Sequence, residues 1–162
     1  VLVLLLRRPM AFRGLEDIRA WRLSQQFKVA AYRLIESTAI SRDARLRQQL
    51  REAAASAASQ VSEGFGRFDP ADFARFIKMA RASLIECKTH LLDAYDRGYI
   101  PFEVHLEHCR QADDALREMV GLLDYLQSPE AKQNAERIRQ ERIRRRQMRR
   151  QRQAESGTKP ER

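Results

Sequence analysis

Residues Leu46–Arg67 read LRQQLREAAASAASQVSEGFGR, and this stretch decides the fold. Leu46, Leu50, Ala53, Ala57 and Val61 recur at steps of three and four, which makes one apolar stripe on a helix; Ala54, Ala58 and Phe65 widen it. Alanine and serine stand where most helices carry large side chains, so a neighbouring helix backbone can come close. The stretch is therefore the central helix of a packed bundle. Its end, Glu63-Gly64-Phe65-Gly66-Arg67, is read as a structural corner, with two glycines where the helix stops and the chain turns. Glu63 and Arg67, at i and i+4, pair across that corner.

The same periodicity appears on either side. A first helix is expected over residues 15–37, burying Leu15, Ile18, Ala20, Leu23, Phe27, Ala30, Ala31 and Leu34. Trp21 and Tyr32 flank this stripe; Trp21 covers the core edge or meets a partner, and both readings stand. Ser41 is the expected cap of the second helix. Asp69-Pro70-Ala71-Asp72 opens a third helix with a capping aspartate, a proline at the first position and an acid at the third. Phe73, Phe76, Ile77, Ala80, Leu84, Cys87, Leu91 and Ala94 line its buried side, and Gly98 with Pro101 turns the chain into a fourth helix. There His105, Cys109, Ala112, Leu116, Met119, Leu123 and Leu126 alternate four and three, a heptad seam. Strand signals are missing, since no Asn-Gly or Asp-Gly hairpin and no sustained alternation occur. The fold class is all-α: an antiparallel up-down-up-down four-helix bundle over residues 12–128, with an N-terminal extension (1–11) and a basic C-terminal tail (129–162), helical or disordered.

Charge is concentrated in that tail. Residues 129–162 hold 12 Lys and Arg against 5 Glu, leaving 19 against 17 for residues 1–128. Ser128-Pro129-Glu130 signals a fresh helix start, and Arg137, Arg139, Arg142, Arg144, Arg145, Arg146, Arg149, Arg150 and Arg152 follow. The three large apolar residues among them, Ile138, Ile143 and Met148, form no single stripe, so the segment buries no face of its own. Such arginine density suits phosphate neutralisation without base specificity, on RNA or DNA alike; a solubilising tail is the plain alternative. Residues 154–162, with Gly157 and Pro160, are expected to be disordered.

Other chemistries lack their residues. No His stands three positions after a Glu, so the carboxylate-bridged metal centre of some bundles has no motif, and no cofactor is expected. His105, His108 and Cys109 share a helical face but want a fourth ligand. Neither a phosphate-binding glycine loop nor a nucleophile motif is present, and the chain is read as non-enzymatic. Arg47, Arg51, Arg75, Lys78 and Arg81 are read as a solvated outer face. Cys87 and Cys109 fall on apolar faces brought level by a turn at Gly98; they are read as reduced core thiols of a cytoplasmic protein, with a redox pair the minor reading. The opening VLVLLLRRPM carries its charges after a short apolar run, unlike a secretory leader, and Met10 is expected to be the working start, with no membrane segment.

In combination, Phe12-Arg13-Gly14-Leu15-Glu16-Asp17-Ile18-Arg19-Ala20-Trp21, the Gln49-Leu50-Arg51 to Ser56 run, Glu63-Gly64-Phe65-Gly66-Arg67, the run Met79-Ala80-Arg81-Ala82-Ser83-Leu84-Ile85-Glu86 and Gly98-Tyr99-Ile100 resemble the bacterial four-helix-bundle family. That family includes the proteins encoded in intervening sequences of large-subunit ribosomal RNA genes and is related to the accessory variability protein of diversity-generating retroelements. Where the family has Ser-Ile-Pro-Ser-Asn-Ile-Ala-Glu-Gly, this chain runs Ser56 to Gly64 without the proline and asparagine, and Ala82 replaces a glycine. The second helix should be straighter for it. The resemblance implies a homo-oligomer, a ring-like pentamer with a basic surface for nucleic acid, and, through the retroelement relatives, a reverse transcriptase as a further partner. The competing implication is a protein-interaction scaffold.

Overall fold

A computed structural model of the chain describes residue 12, residues 14–67 and residues 69–156, the last three without side chains. The expectations for residues 1–9, Met10 and 157–162 lie outside the described residues. The described residues are mostly helical, with no strand among them: α1 Arg19–Ser37, α2 Ala44–Gly66, α3 Pro70–Asp96, α4 Phe102–Leu126 and α5 Pro129–Ser156, plus short 3₁₀ turns at Leu15–Asp17 and Ala39–Arg42. The molecule is a helical bundle in which α1 packs on α2 and α4, and α3 packs on α2 and α4. α2 against α3 is the most intimate of these pairings. Side-chain pairs set the register. Ser56 meets Ser83 (3.0 Å) across α2 and α3, Lys88 meets Asp113 (2.6 Å) across α3 and α4, and Arg19 meets Glu118 (3.3 Å) across α1 and α4.

The small-residue stripe of α2 is buried as expected, with Leu46, Leu50, Ala53, Ala54, Ala57, Ala58 and Val61 at 4% exposure or less. All eight apolar residues expected on α3 are buried too. Two buried serines bring their hydrogen bonds with them. Ser24 donates to Ala20 O (2.7 Å) within α1, and Ser83 donates to Met79 O (3.2 Å) while its oxygen faces the Ser56 hydroxyl.

Helix ends follow capping chemistry, with some revisions. Asp69 accepts from the Asp72 amide (2.9 Å), with Pro70 at the first position of α3. At the far end Gly98 takes φ +69°, its amide donates to Tyr95 O (2.8 Å), and Tyr99 N donates to Ala94 O (2.9 Å): a Schellman turn. α1 starts later than expected. Leu15–Asp17 is a separate 3₁₀ turn and Ile18 is extended (φ −83°, ψ 105°), yet Ile18 still reaches the core. α2 is capped by Asp43 instead of Ser41: residues 39–42 coil into their own 3₁₀ turn, in which the Ser41 hydroxyl donates to Thr38 O (2.8 Å). On α4 the expected seam is buried at Cys109, Ala112, Met119, Leu123 and Leu126, while His105 and Leu116 are half-exposed. His108, Ala115 and Leu122 are buried beside it, so the buried face is wider than a single seam.

Asp43 does more than cap. One oxygen accepts the Leu46 amide (3.0 Å); the other accepts Arg97 Nη1 (2.9 Å) and the Tyr99 hydroxyl (3.4 Å), tying the start of α2 to the end of α3. The Leu46 N–H, followed by the Arg97 guanidinium and the Tyr99 hydroxyl, holds its carboxyl below the usual carboxylate value, against the opposing pull of burial. A lowered folded pKa stabilises fully above the unfolded value of 3.8 and is lost as pH falls through the folded one. Asp43→Asn keeps a good cap but no charge. The variant should be less stable at pH 7 and should lose less than the parent between pH 5 and pH 2, read from urea midpoints; parallel pH profiles would refute the assignment.

Candidate nucleic-acid interface

α5 is rooted before it is exposed. The Ser128 hydroxyl caps it by accepting from Ala131 N (3.2 Å), Ala131 is 3% exposed, and Asn134 Nδ2 donates to the Tyr125 hydroxyl (3.3 Å). Beyond Ala135 every side chain described is exposed. The 28-residue helix is about 42 Å long at 1.5 Å per residue. All nine sequence-selected arginines lie on its exposed part, and they are distributed around its whole circumference. Arg145 is paired with Glu141 on the same helix. Ile138, Ile143 and Met148, 43–49% exposed, interleave with them. The tail is thus a cationic helix through Ser156, so residues 154–156, expected to be disordered, continue α5, and it has no apolar face that would lay it on a lipid surface. No helix among the described residues is long and apolar enough to cross a membrane.

The corner residues follow their sequence reading only in part. Glu63 and Arg67 pair at 2.7 Å, as expected. α2 ends at Gly66, as expected, but neither glycine turns the chain in a left-handed conformation: the helix includes both, and Arg67 caps it in right-handed conformation. Positive φ is found at Gly98 alone among the described glycines. Gly64 serves packing, since a Cβ there would stand 2.5 Å from Phe73 Cδ2 and 2.7 Å from Phe76 Cβ. Nothing lies within 4 Å of a Cβ built on Gly66.

Several basic residues of the bundle body serve local contacts. Arg47 donates to Ser41 O (2.8 Å), Arg51 pairs with Glu36 (3.2 Å) over the Tyr32 ring, and Arg67 and Arg75 both lie over Phe76 (5.3 and 5.0 Å). Lys78 is exposed, and Arg81 is half-buried. The histidines are likewise apart in role. His105 stacks on Tyr95 (5.7 Å), His108 donates from Nδ1 to Val104 O (2.8 Å), and His90 faces Glu86 (3.6 Å). Among the described residues no three His, Cys, Asp or Glu side chains are grouped to hold a metal. Cys87 and Cys109 are buried and free. Burial pushes the Cys87 thiol up to about 12 and raises that of Cys109, so both are held as thiols, not as reactive thiolates. Trp21 packs against the core from a half-buried position.

The sequence reading missed two features. Asp43 carried a signal, an aspartate three residues before Leu46 at a helix start. The hollows where α5 crosses the bundle carried none, because they depend on the angle between two helices.

A helical bundle whose last helix is a protruding arginine-rich arm is the class these features define. The chain belongs to the 23S rRNA-intervening sequence protein family, which matches it over residues 16–121, from the 3₁₀ turn before α1 to the last third of α4. α5 lies beyond the matched span. A search of curated proteins finds no match.

Proposed function

We propose that this is a non-enzymatic, cytoplasmic protein that binds nucleic acid, RNA or DNA, through the phosphates, with α5 as the binding arm and an antiparallel up-down-up-down four-helix bundle as its platform. The observation that carries the reading is the arm itself: nine exposed arginines on one rooted helix. A homo-oligomer, a pentamer by resemblance, would bring several arms onto one polyanion, so that weak contacts add through high effective concentration. The helix pairings and their register support the antiparallel arrangement, since short turns join each helix to the neighbour it packs on.

Counterion release supplies the test. With about six phosphates neutralised, affinity for a structured RNA should fall with log salt at a slope near −5 between about 0.1 and 0.3 M. Fluorescence anisotropy on the intact chain measures it. Absence of binding at the lower salt overturns the reading. A second reading, a scaffold for protein partners such as a reverse transcriptase, draws on the apolar side chains on the outside of α3: Met79, Ile85 and Leu92 are 44–53% exposed. It predicts association that persists at high salt.

A further inference from the structure

Where α5 passes the start of α3, two hollows open that share Asp69, Pro70, Ala135, Ile138 and Arg142. One, about 280 Å³, is aromatic: Phe12, Phe65, Phe73 and Tyr125 line it. These rings meet in two edge-to-face pairs, Phe65 with Phe73 (6.3 Å) and Phe12 with Tyr125 (6.2 Å), so in each pair one ring keeps both faces clear of its partner. The other hollow, about 640 Å³, is walled by Lys132, Arg139, Arg142 and Arg146, with Ile138 and Ile143 between them. Its four cations face two carboxylates, Asp69 and Glu136, which leaves it positive.

We infer that this junction seats an unpaired stretch of nucleic acid, with a base in the aromatic hollow and the adjoining phosphates in the cationic one. The inference rests on the nucleic-acid reading above and narrows it from any polyanion to a single strand. A charged groove beside ring faces is the chemistry that holds unpaired bases, because every base has a π-face and every nucleotide a phosphate. A duplex keeps its bases stacked inside and gains nothing from the rings. Asp69, at the shared edge, accepts from a base amino group and repels a phosphate, which orders the two halves of a nucleotide. The outer arginines, Arg149 and Arg152 among them, line neither hollow and serve any polyanion equally.

The test compares a 12-nucleotide single-stranded RNA with a duplex of the same length, by anisotropy at about 0.1 M salt, on three variants of the full chain. R139Q/R146Q removes two charges from the cationic hollow, R149Q/R152Q removes two from the outer arm, and Phe65→Leu keeps apolar bulk while removing a ring. The expected result is that R139Q/R146Q weakens single-strand binding at least about fivefold more than R149Q/R152Q, and that Phe65→Leu weakens it roughly tenfold, with little change on duplex. Equal losses for the two double variants on both ligands, with Phe65→Leu silent and its helical signal intact, would overturn the junction site while leaving the arm reading in place. A parent chain that binds neither RNA overturns both. The arginine variants change exposed side chains only, so the comparison stands even where Phe65→Leu fails to fold.

Discussion

Replacing all nine arginines from Arg137 to Arg152 by glutamine is expected to cost at least about a thousandfold in affinity for structured RNA at 0.1 M salt, with the unfolding temperature of the bundle nearly unchanged. Two physical arguments support the separation. Glutamine is close to arginine in helix propensity, so α5 keeps its conformation. The root of the arm, Ala131 packed in the bundle and Asn134 on Tyr125, uses no arginine. What disappears is charge, and with it the counterion release that drives phosphate binding. Arg145 pairs with Glu141 on the exposed arm, half-exposed or more on both sides, and such pairs contribute at most about 1 kcal/mol. Parallel anisotropy and thermal melts check both halves. A variant that still binds with the parent's affinity would move the interface to the bundle body, where Lys78 and Arg81 would be next in line. A variant that melts several degrees lower would show that the arm holds the bundle together, a role its exposure argues against.

How far the sequence disclosed this arrangement depended on how local each signal was. The start of α3 was legible in four residues, because a capping aspartate followed by proline has few other uses; the Schellman turn at Gly98 was legible for the same reason. The stripes of α2 and α3 were legible because both run in unbroken three- and four-residue steps. α4 was read with the right period and too narrow a face. Its sequence offers two parallel lines of candidates, and contact with both α1 and α3 buries most of both, Ala115 and Leu122 as well as Cys109 and Leu123. Gly64 shows the limit most clearly. As a glycine near the end of a helical pattern it reads as a stop signal, since the helix C-terminus is where glycine is most common. Its actual cause lies on another helix, in Phe73 and Phe76, and no spacing rule reports a contact across the chain. The arm was legible from composition alone; the hollows at its root were not, because they exist only once α5 has a direction relative to α3.

Gly64→Ala is therefore expected to destabilise the protein by about 1–3 kcal/mol, the usual cost of forcing a methyl group into a filled core. An exposed helical site would give the opposite sign, because alanine exceeds glycine in helix propensity by roughly 1 kcal/mol. Gly66, two residues on, is such a site: it is helical, exposed and open around its Cα, so Gly66→Ala should stabilise by about 0.5–1 kcal/mol. The clash at Gly64 cannot be relieved by swinging a flexible side-chain end. Phe76 Cβ is fixed to the α3 backbone, its ring lies under the Arg67 and Arg75 guanidiniums, and Phe73 is braced against Phe65. The relief open to the structure is to part the end of α2 from the start of α3, and that place is the floor of the aromatic hollow under α5. Gly64→Ala should for that reason also weaken single-stranded RNA binding, whereas Gly66→Ala leaves it alone. Urea unfolding of the pair measures the first effect, and anisotropy the second. If Gly64→Ala proves as stable as Gly66→Ala, the close approach of α2 and α3 is not what requires glycine, and the small-residue interface loses its role as the feature that sets the fold.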